Sequence, residues 1–160
     1  MKKIMLAAAA ALALSAGMGV AQTVRIATEG AYPPYNLVND KGQLDGFEIE
    51  LGNELCKRAK LDCTWVSNDW DSIIPNLVSS NYDAIMAGMN ISAERKKAIQ
   101  FSEPYTPPPL SAYAALTPDA DIKGTVAAQV NTIQAGFVDE SGATLTEFAT
   151  REETIAAVRD

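Results

Sequence analysis

Apolar and polar positions change period several times along the chain. Thr23-Val24-Arg25-Ile26-Ala27-Thr28 reads as a short strand, and the stretch from Glu29 to Gly42 is rich in turn residues. From Asp45 the spacing becomes helical: Phe47, Leu51, Leu55 and Ala59 recur through Lys60 and are expected to face a core. Asp45 with Glu48 three residues on has the form of a capping box. A strand at Cys63-Thr64-Trp65-Val66 follows, then a helix carrying Ile73, Ile74, Leu77 and Val78, with Pro75 tolerable only near its start, then a strand from Asp83 to Met86. Strand, helix, strand, helix, strand with short joints predicts a parallel α/β sheet whose post-strand loops share one edge. That edge would gather Glu29 and Tyr32, then Asn68, Asp69 and Trp70, then Ala87 to Asn90.

A proline-rich break, Thr106-Pro107-Pro108-Pro109, precedes a run from Ser111 to Leu116 that reads as a strand. A second series starts near Lys123: strand Thr125 to Ala128, helix from about Thr132, strand Leu145 to Phe148, helix from Thr150 with a capping box in Thr150 and Glu153. A two-stranded parallel element cannot cover its own faces. The chain is therefore expected to be the N-terminal portion of a larger two-lobed protein. The expected divisions are a first lobe over 22–109, a hinge region over 110–122 and the start of a second lobe over 123–160.

Residues 1–21 stand apart. Lys2 and Lys3, an apolar run from Ile4 to Ala16 and Gly19-Val20-Ala21 form the basic, hydrophobic and small-residue series of a secretory signal peptide. The apolar run is short for a membrane anchor, which needs roughly 20 such residues. The chain's 13 Lys and Arg against 20 Asp and Glu give a formal net charge of −7. Loss of Lys2 and Lys3 with the leader would take it to −9. That balance argues against nucleic acid and anionic membranes as partners. For an exported chain, Cys56 and Cys63 are expected to pair as a disulfide. Two buried thiols are the alternative, and a metal site is disfavoured by the absence of histidine.

Candidate chemistry concentrates between Tyr82 and Arg95. An apolar run there empties into small and polar residues and then a helix start, with Ser92 as N-cap and Arg95 at N3. A cation in the first turn opposes the helix dipole unless it faces an anion, which a guanidinium fork can grip at two points. The alternative is a solvated arginine paired with Glu94 or another acid. Lys96 and Lys97 read as a solvated face.

The chain resembles the first part of the polar amino-acid binding proteins of the periplasmic substrate-binding family 3, which feed ABC importers. The resemblance rests on Arg25-Ile26-Ala27-Thr28-Glu29 with Tyr32-Pro33-Pro34-Tyr35, Gly46-Phe47-Glu48-Ile49-Glu50-Leu51 and Glu54-Leu55-Cys56-Lys57-Arg58. It extends through Asp83-Ala84-Ile85-Met86-Ala87-Gly88, Glu94-Arg95 and Phe101-Ser102-Glu103-Pro104-Tyr105. It implies a fold of two α/β lobes with parallel-rich sheets closing on a ligand between them. It also implies periplasmic localisation after signal cleavage, permease subunits of an importer as partners, no cofactor, and a monomer. Arg95 would pair with the ligand α-carboxylate. The Ala87-Gly88 backbone and Asn90 would meet its α-ammonium or carboxylate, Tyr32 and Trp70 would sandwich its side chain, and Glu29 would contact a polar or cationic end. That set favours lysine, arginine or ornithine, with histidine and glutamine as further candidates.

Simpler readings stand beside these. Tyr32 could pack a turn, Trp70 could be a core aromatic, Glu29 could be a solvated acid, and Phe101 to Tyr105 reads as hinge-side packing. In the second series the family's glycine and two threonines are matched by Asn131, Thr132 and Ile133. One hydroxyl contact is thereby lost, although the Ile133 N–H could still reach a carboxylate. The family's C-terminal acidic residue for the ligand ammonium, its second hinge strand and its return segment lie beyond residue 160. Two other functions use the same scaffold: a cyclohexadienyl-dehydratase-like enzyme, which would need a proton-transferring group such as Glu29, and the ligand-sensing module of a receptor.

Overall fold

The computed structural model describes residues 23–107 and 110–159. The leader expected over residues 1–21 lies outside the described residues, as do Pro108 and Pro109. Strand β1 (Thr23–Thr28) is the centre of a parallel sheet in the order β5-β1-β6, with β5 at Asp62–Ser67 and β6 at Ala84–Ile85. β1 runs in full register with β5, from Thr23 opposite Asp62 to Thr28 opposite Ser67. Its inner residues Ile26, Ala27 and Thr28 are buried, which suits a strand covered on both faces. Ala27, Ile73, Tyr82 and Ala87 form the core beside it, and the Tyr82 hydroxyl donates to the Ile73 carbonyl at 2.5 Å.

The turn-rich stretch contains a small antiparallel sheet of β2 (Ala31–Tyr32), β3 (Asn36–Val38) and β4 (Leu44–Asp45), which the sequence pattern does not announce. Strands of two or three residues are too short to register as alternation. Helix α1 spans Phe47–Ala59, but the expected capping box does not form. The Asp45 carboxylate accepts from the Gly46 N–H at 2.7 Å, and the N-cap is Gly46 itself, at φ 113°. A Cβ there would lie 2.7 Å from the Tyr35 carbonyl oxygen, so only glycine fits. The buried stripe is also turned from the expected one. Glu48, Ile49, Gly52 and Cys56 face inward, whereas Phe47 and Leu55 are 43% and 53% exposed. Gly52 sets this orientation, because any side chain there would strike the Trp65 ring, so the helix lies directly on β5. Cys56 and Cys63 form the expected disulfide, with an Sγ–Sγ distance of 2.08 Å.

Helix α2 (Ile73–Val78) buries Ile73 but leaves Val78 exposed. The helix expected from Ser92 is only a 3-10 turn over Arg95–Lys97, although the Arg95 N–H does donate to the Ser92 hydroxyl at 3.2 Å. The strand expected over Ser111–Leu116 is absent: residues 110–123 are exposed and carry no regular structure, with no described strand alongside to take their hydrogen bonds. The second series matches its pattern closely. β7 (Thr125–Gln129) and β8 (Thr144–Phe148) pair in parallel, α3 (Ile133–Glu140) packs Ala135 and Val138 inward, and α4 covers Arg151–Arg159. The Thr150 and Glu153 box is reciprocal: the Thr150 N–H donates to Glu153 at 2.9 Å and the Glu153 N–H to Thr150 at 3.1 Å.

Two polar features tie the first unit together. The Arg25 guanidinium grips Asp83 through Nε and Nη2 at 3.0 and 2.9 Å, and also donates to the carbonyls of Asn81 and Ser80. Glu48 is fully buried, and its carboxyl accepts from Asn36 Nδ2 at 2.7 Å, from the Gly88 N–H at 2.7 Å and from the Tyr105 hydroxyl. Asn36 in turn accepts from the Gly30 N–H at 2.8 Å. Burial, reinforced by the bond to Glu48, pushes the Tyr105 phenol well above its ordinary value.

Side-chain and backbone hydrogen bonds from Arg25 hold Asp83 at a pKa of about 2. A depressed carboxylate contributes stability above its unfolded value and loses it as pH falls through the folded one. Thermal midpoints should therefore drop between about pH 4 and pH 2, and Asp83→Asn should flatten that limb. Glu48→Gln turns a donor toward the N–H groups it now accepts from, and should cost about 1–3 kcal/mol in urea unfolding. Glu50→Gln, on the exposed side of the same helix, should stay within about 0.5 kcal/mol of the unsubstituted chain.

Candidate functional site

The parallel register of β5-β1-β6 brings the ends of all three strands to one edge. Glu29 follows β1, Asp69 and Trp70 follow β5, and Ala87 to Asn90 follow β6. The loop after β5 is held by Asn68, whose N–H donates to the Thr28 carbonyl at 2.9 Å and whose amide donates to Asp69 O and Ser72 Oγ. This positions Trp70, which both packs against the core and reaches the edge. Ala87 is buried in that core, so only its backbone faces the loop. Gly88 sits at φ +59°, and a Cβ there would come within 2.9 Å of the Tyr32 ring. Its N–H is taken by Glu48.

Arg95 is the pivot of the edge. Its guanidinium lies 5.2 Å from the Trp70 ring centroid and donates to the carbonyls of Asn90 and Asn131, each at 2.9 Å. The four ion pairs among the described residues do not include it, and Glu94 pairs with Lys97 instead, at 2.6 Å. Burial lowers the guanidinium from its ordinary value, so its charge sits partly out of water with only neutral acceptors around it. Glu29 is the counterpart. Burial raises its carboxyl above the usual range, Gln129 opposes that with a 2.5 Å hydrogen bond, and nearby Asp69 adds to it. Among the described residues, one edge therefore holds a half-buried cation without an anion and a half-buried acid without a cation.

The β7–α4 unit meets this edge at several points. The Asn131 carbonyl accepts from Trp70 Nε1 at 3.3 Å as well as from Arg95, Gln129 reaches Glu29, and the Arg151 guanidinium lies 5.1 Å from the Tyr32 ring centroid. Asn131 has φ 56°, a left-handed conformation that favours glycine and tolerates asparagine, which accounts for asparagine at this turn. The Thr132 hydroxyl caps α3, donating to Gln129 O at 2.7 Å and accepting from the Ala135 N–H at 3.1 Å. Ile133 opens α3 with its side chain 43% exposed. Gln129 and Arg151 escape a reading from sequence because their partners lie across the fold, but an arginine opening a helix was a detectable signal.

Tyr32, Gly88, Asn90 and Ile133 also line a cavity of about 280 Å³, whose other wall is Phe101 to Thr106. Glu29, Trp70, Arg95 and Thr132 lie outside that lining. The segment read as hinge-side packing therefore both anchors Glu48 through Tyr105 and walls a cavity. We take the charged edge as the chemical centre, because the cavity is mostly apolar and holds no charged group except Glu103. Among the described residues no group of three or more His, Cys, Asp or Glu is placed to hold a metal ion.

Comparison with known proteins agrees with the fold. The octopine-binding periplasmic protein of Rhizobium meliloti is 50% identical over 98 residues, covering 60% of this chain and 33% of that protein. The L-arginine-binding protein of Pseudomonas aeruginosa is 36% identical over 165 residues, covering 99% of this chain and 60% of that one. A solved periplasmic His/Glu/Gln/Arg/opine family-binding protein from Silicibacter pomeroyi, in complex with lysine, superposes with a TM-score of 0.83 and 67% identity over 85% of this chain and 62% of that one. The chain thus spans a third to three fifths of the length of these curated relatives. Residues 24–148 match the bacterial extracellular solute-binding proteins, family 3, and the chain belongs to that family.

Proposed function

We propose that the protein is an exported periplasmic receptor that captures a basic L-amino acid and hands it to the permease subunits of an ABC importer, binding without chemistry and as a single copy. The observation that carries this reading is Arg95: half-buried, stacked on Trp70, and without a carboxylate among the described residues. A ligand α-carboxylate would supply the missing anion in a geometry the guanidinium fork favours. Glu29, with its carboxyl destabilised by burial, would meet the ligand's distal cation, and the Tyr32 and Trp70 rings would flank the stem between. The lysine bound to the Silicibacter pomeroyi protein and the arginine named for the Pseudomonas aeruginosa relative support a basic ligand. In a two-lobed receptor, the first lobe would carry these groups and the segment from Gln129 to Ile133 would close on them.

Isothermal titration of the full chain with lysine, arginine, ornithine, histidine and glutamine tests the reading. Basic amino acids should bind tightest. Arg95→Ala should weaken them about 30-fold or more, because it removes one partner of a desolvated charge pair, with an unchanged circular dichroism spectrum. Unaltered affinity in Arg95→Ala would overturn the assignment.

The raised carboxyl of Glu29 adds a pH signature. Without ligand, the ionised form is disfavoured by burial, so Glu29 contributes stability at low pH that is lost as pH rises through its folded value. A bound cation reverses the preference and favours the carboxylate. Lysine affinity should therefore climb with pH through the Glu29 titration and level above it, with proton release on binding. Glu29→Gln should remove both the slope and the proton release.

A further inference from the structure

Arg151 is the first residue of α4, and its guanidinium carbon lies 5.1 Å from the Tyr32 ring centroid. A cation at that end of a helix opposes the dipole, whereas Glu152 and Glu153 beside it suit the position. The reciprocal cap between Thr150 and Glu153 fixes the direction in which the helix starts, and so where Arg151 is carried. None of the ion pairs among the described residues includes Arg151. Its partner is the tyrosine face.

Little of the Tyr32 ring is left over. Tyr35 stacks on the Tyr32 ring at 5.1 Å and 15°, and Gly88 approaches so closely that a Cβ would lie 2.9 Å from it. An aromatic face attracts a cation through its quadrupole, and a second cation on the same face would meet both a filled seat and a like charge. Glu29, the acid expected to draw a ligand cation, belongs to the same corner: Gln129 donates both to Glu29 Oε1 and to the carbonyl of Ala149, two residues before Arg151.

Resting on the reading of a basic amino-acid ligand, we infer that Arg151 is a specificity-determining residue, an internal cation that occupies the Tyr32 face and is displaced by the cationic end of the ligand. The protein then ranks basic ligands by how well each competes with its own guanidinium. Neutral ligands, whose stems gain no cation–π attraction from that ring, compete for it too weakly to displace Arg151.

The test is calorimetric titration of the full chain, as the unsubstituted protein, Arg151→Gln and Arg151→Lys, with lysine and glutamine at fixed pH and salt. Arg151→Gln should bind lysine about fivefold tighter. Glutamine affinity should change by less than about twofold, since no cation contends for the ring. Arg151→Lys, which keeps the charge but stacks less well than a guanidinium, should fall between the two. Should Arg151→Gln lose its circular dichroism spectrum, the comparison of Arg151→Lys with the unsubstituted chain decides by the same criterion. Lysine binding that is equal or weaker in the variants overturns the inference while leaving the receptor reading intact. Lysine binding that emerges only in the variants is its strongest support. Absence of basic amino-acid binding in all three proteins overturns both.

Discussion

The buried carboxyl of Glu48 is the constraint on which the candidate edge rests. A carboxyl withdrawn from water costs several kcal/mol unless its oxygens are met by donors. Here the donors come from three separate places in the chain: Asn36 in the small antiparallel sheet, Gly88 in the loop after β6, and Tyr105 in the segment beyond the arginine turn. None of those segments can move far without stranding a polar group. Because Gly88 is drawn to Glu48 and packs against Tyr32, the placement of the aromatic face follows from a side chain wholly withdrawn from solvent.

The same residue shows where a reading of the sequence stops. Spacing alone gives Glu48 a place in a capping box with Asp45, because three residues separate them. The fold turns it inward because Gly46 fits only a glycine conformation beside Tyr35, and because its partners lie 12, 40 and 57 residues away. The box at Thr150 and Glu153 has identical spacing and forms as read, since among the described residues no distant group bonds to either side chain. Strands β1, β5, β7 and β8 were likewise legible from local pattern. β2 to β4 were too short to show one, and the run from Ser111 to Leu116 had the pattern but no neighbour among the described residues.

For the candidate site, the residues of the first unit were legible and their relations were not. Arg95 stood out by its charge at a turn start, and Glu29, Tyr32 and Trp70 by resemblance. What the sequence could not convey is that each is already in contact with the β7–α4 unit: Arg95 and Trp70 with the Asn131 carbonyl, Glu29 with the Gln129 amide, Tyr32 with Arg151. Two of these partners are neutral dipoles, weaker than the charges a zwitterion would bring. An edge satisfied in this way keeps its polar groups from being orphaned, yet leaves them open to a better partner.

The disulfide joins Cys56, near the end of α1, to Cys63, which pairs with Val24 near the start of β1. It therefore lies at the opposite end of the sheet from Glu29, Trp70 and Arg95. A covalent tie remote from the charged edge divides the molecule's sensitivities. Reduction would act on the end of the sheet where α1 is tied to the start of β5, while the half-buried carboxyl of Glu29 answers to acidity at the other.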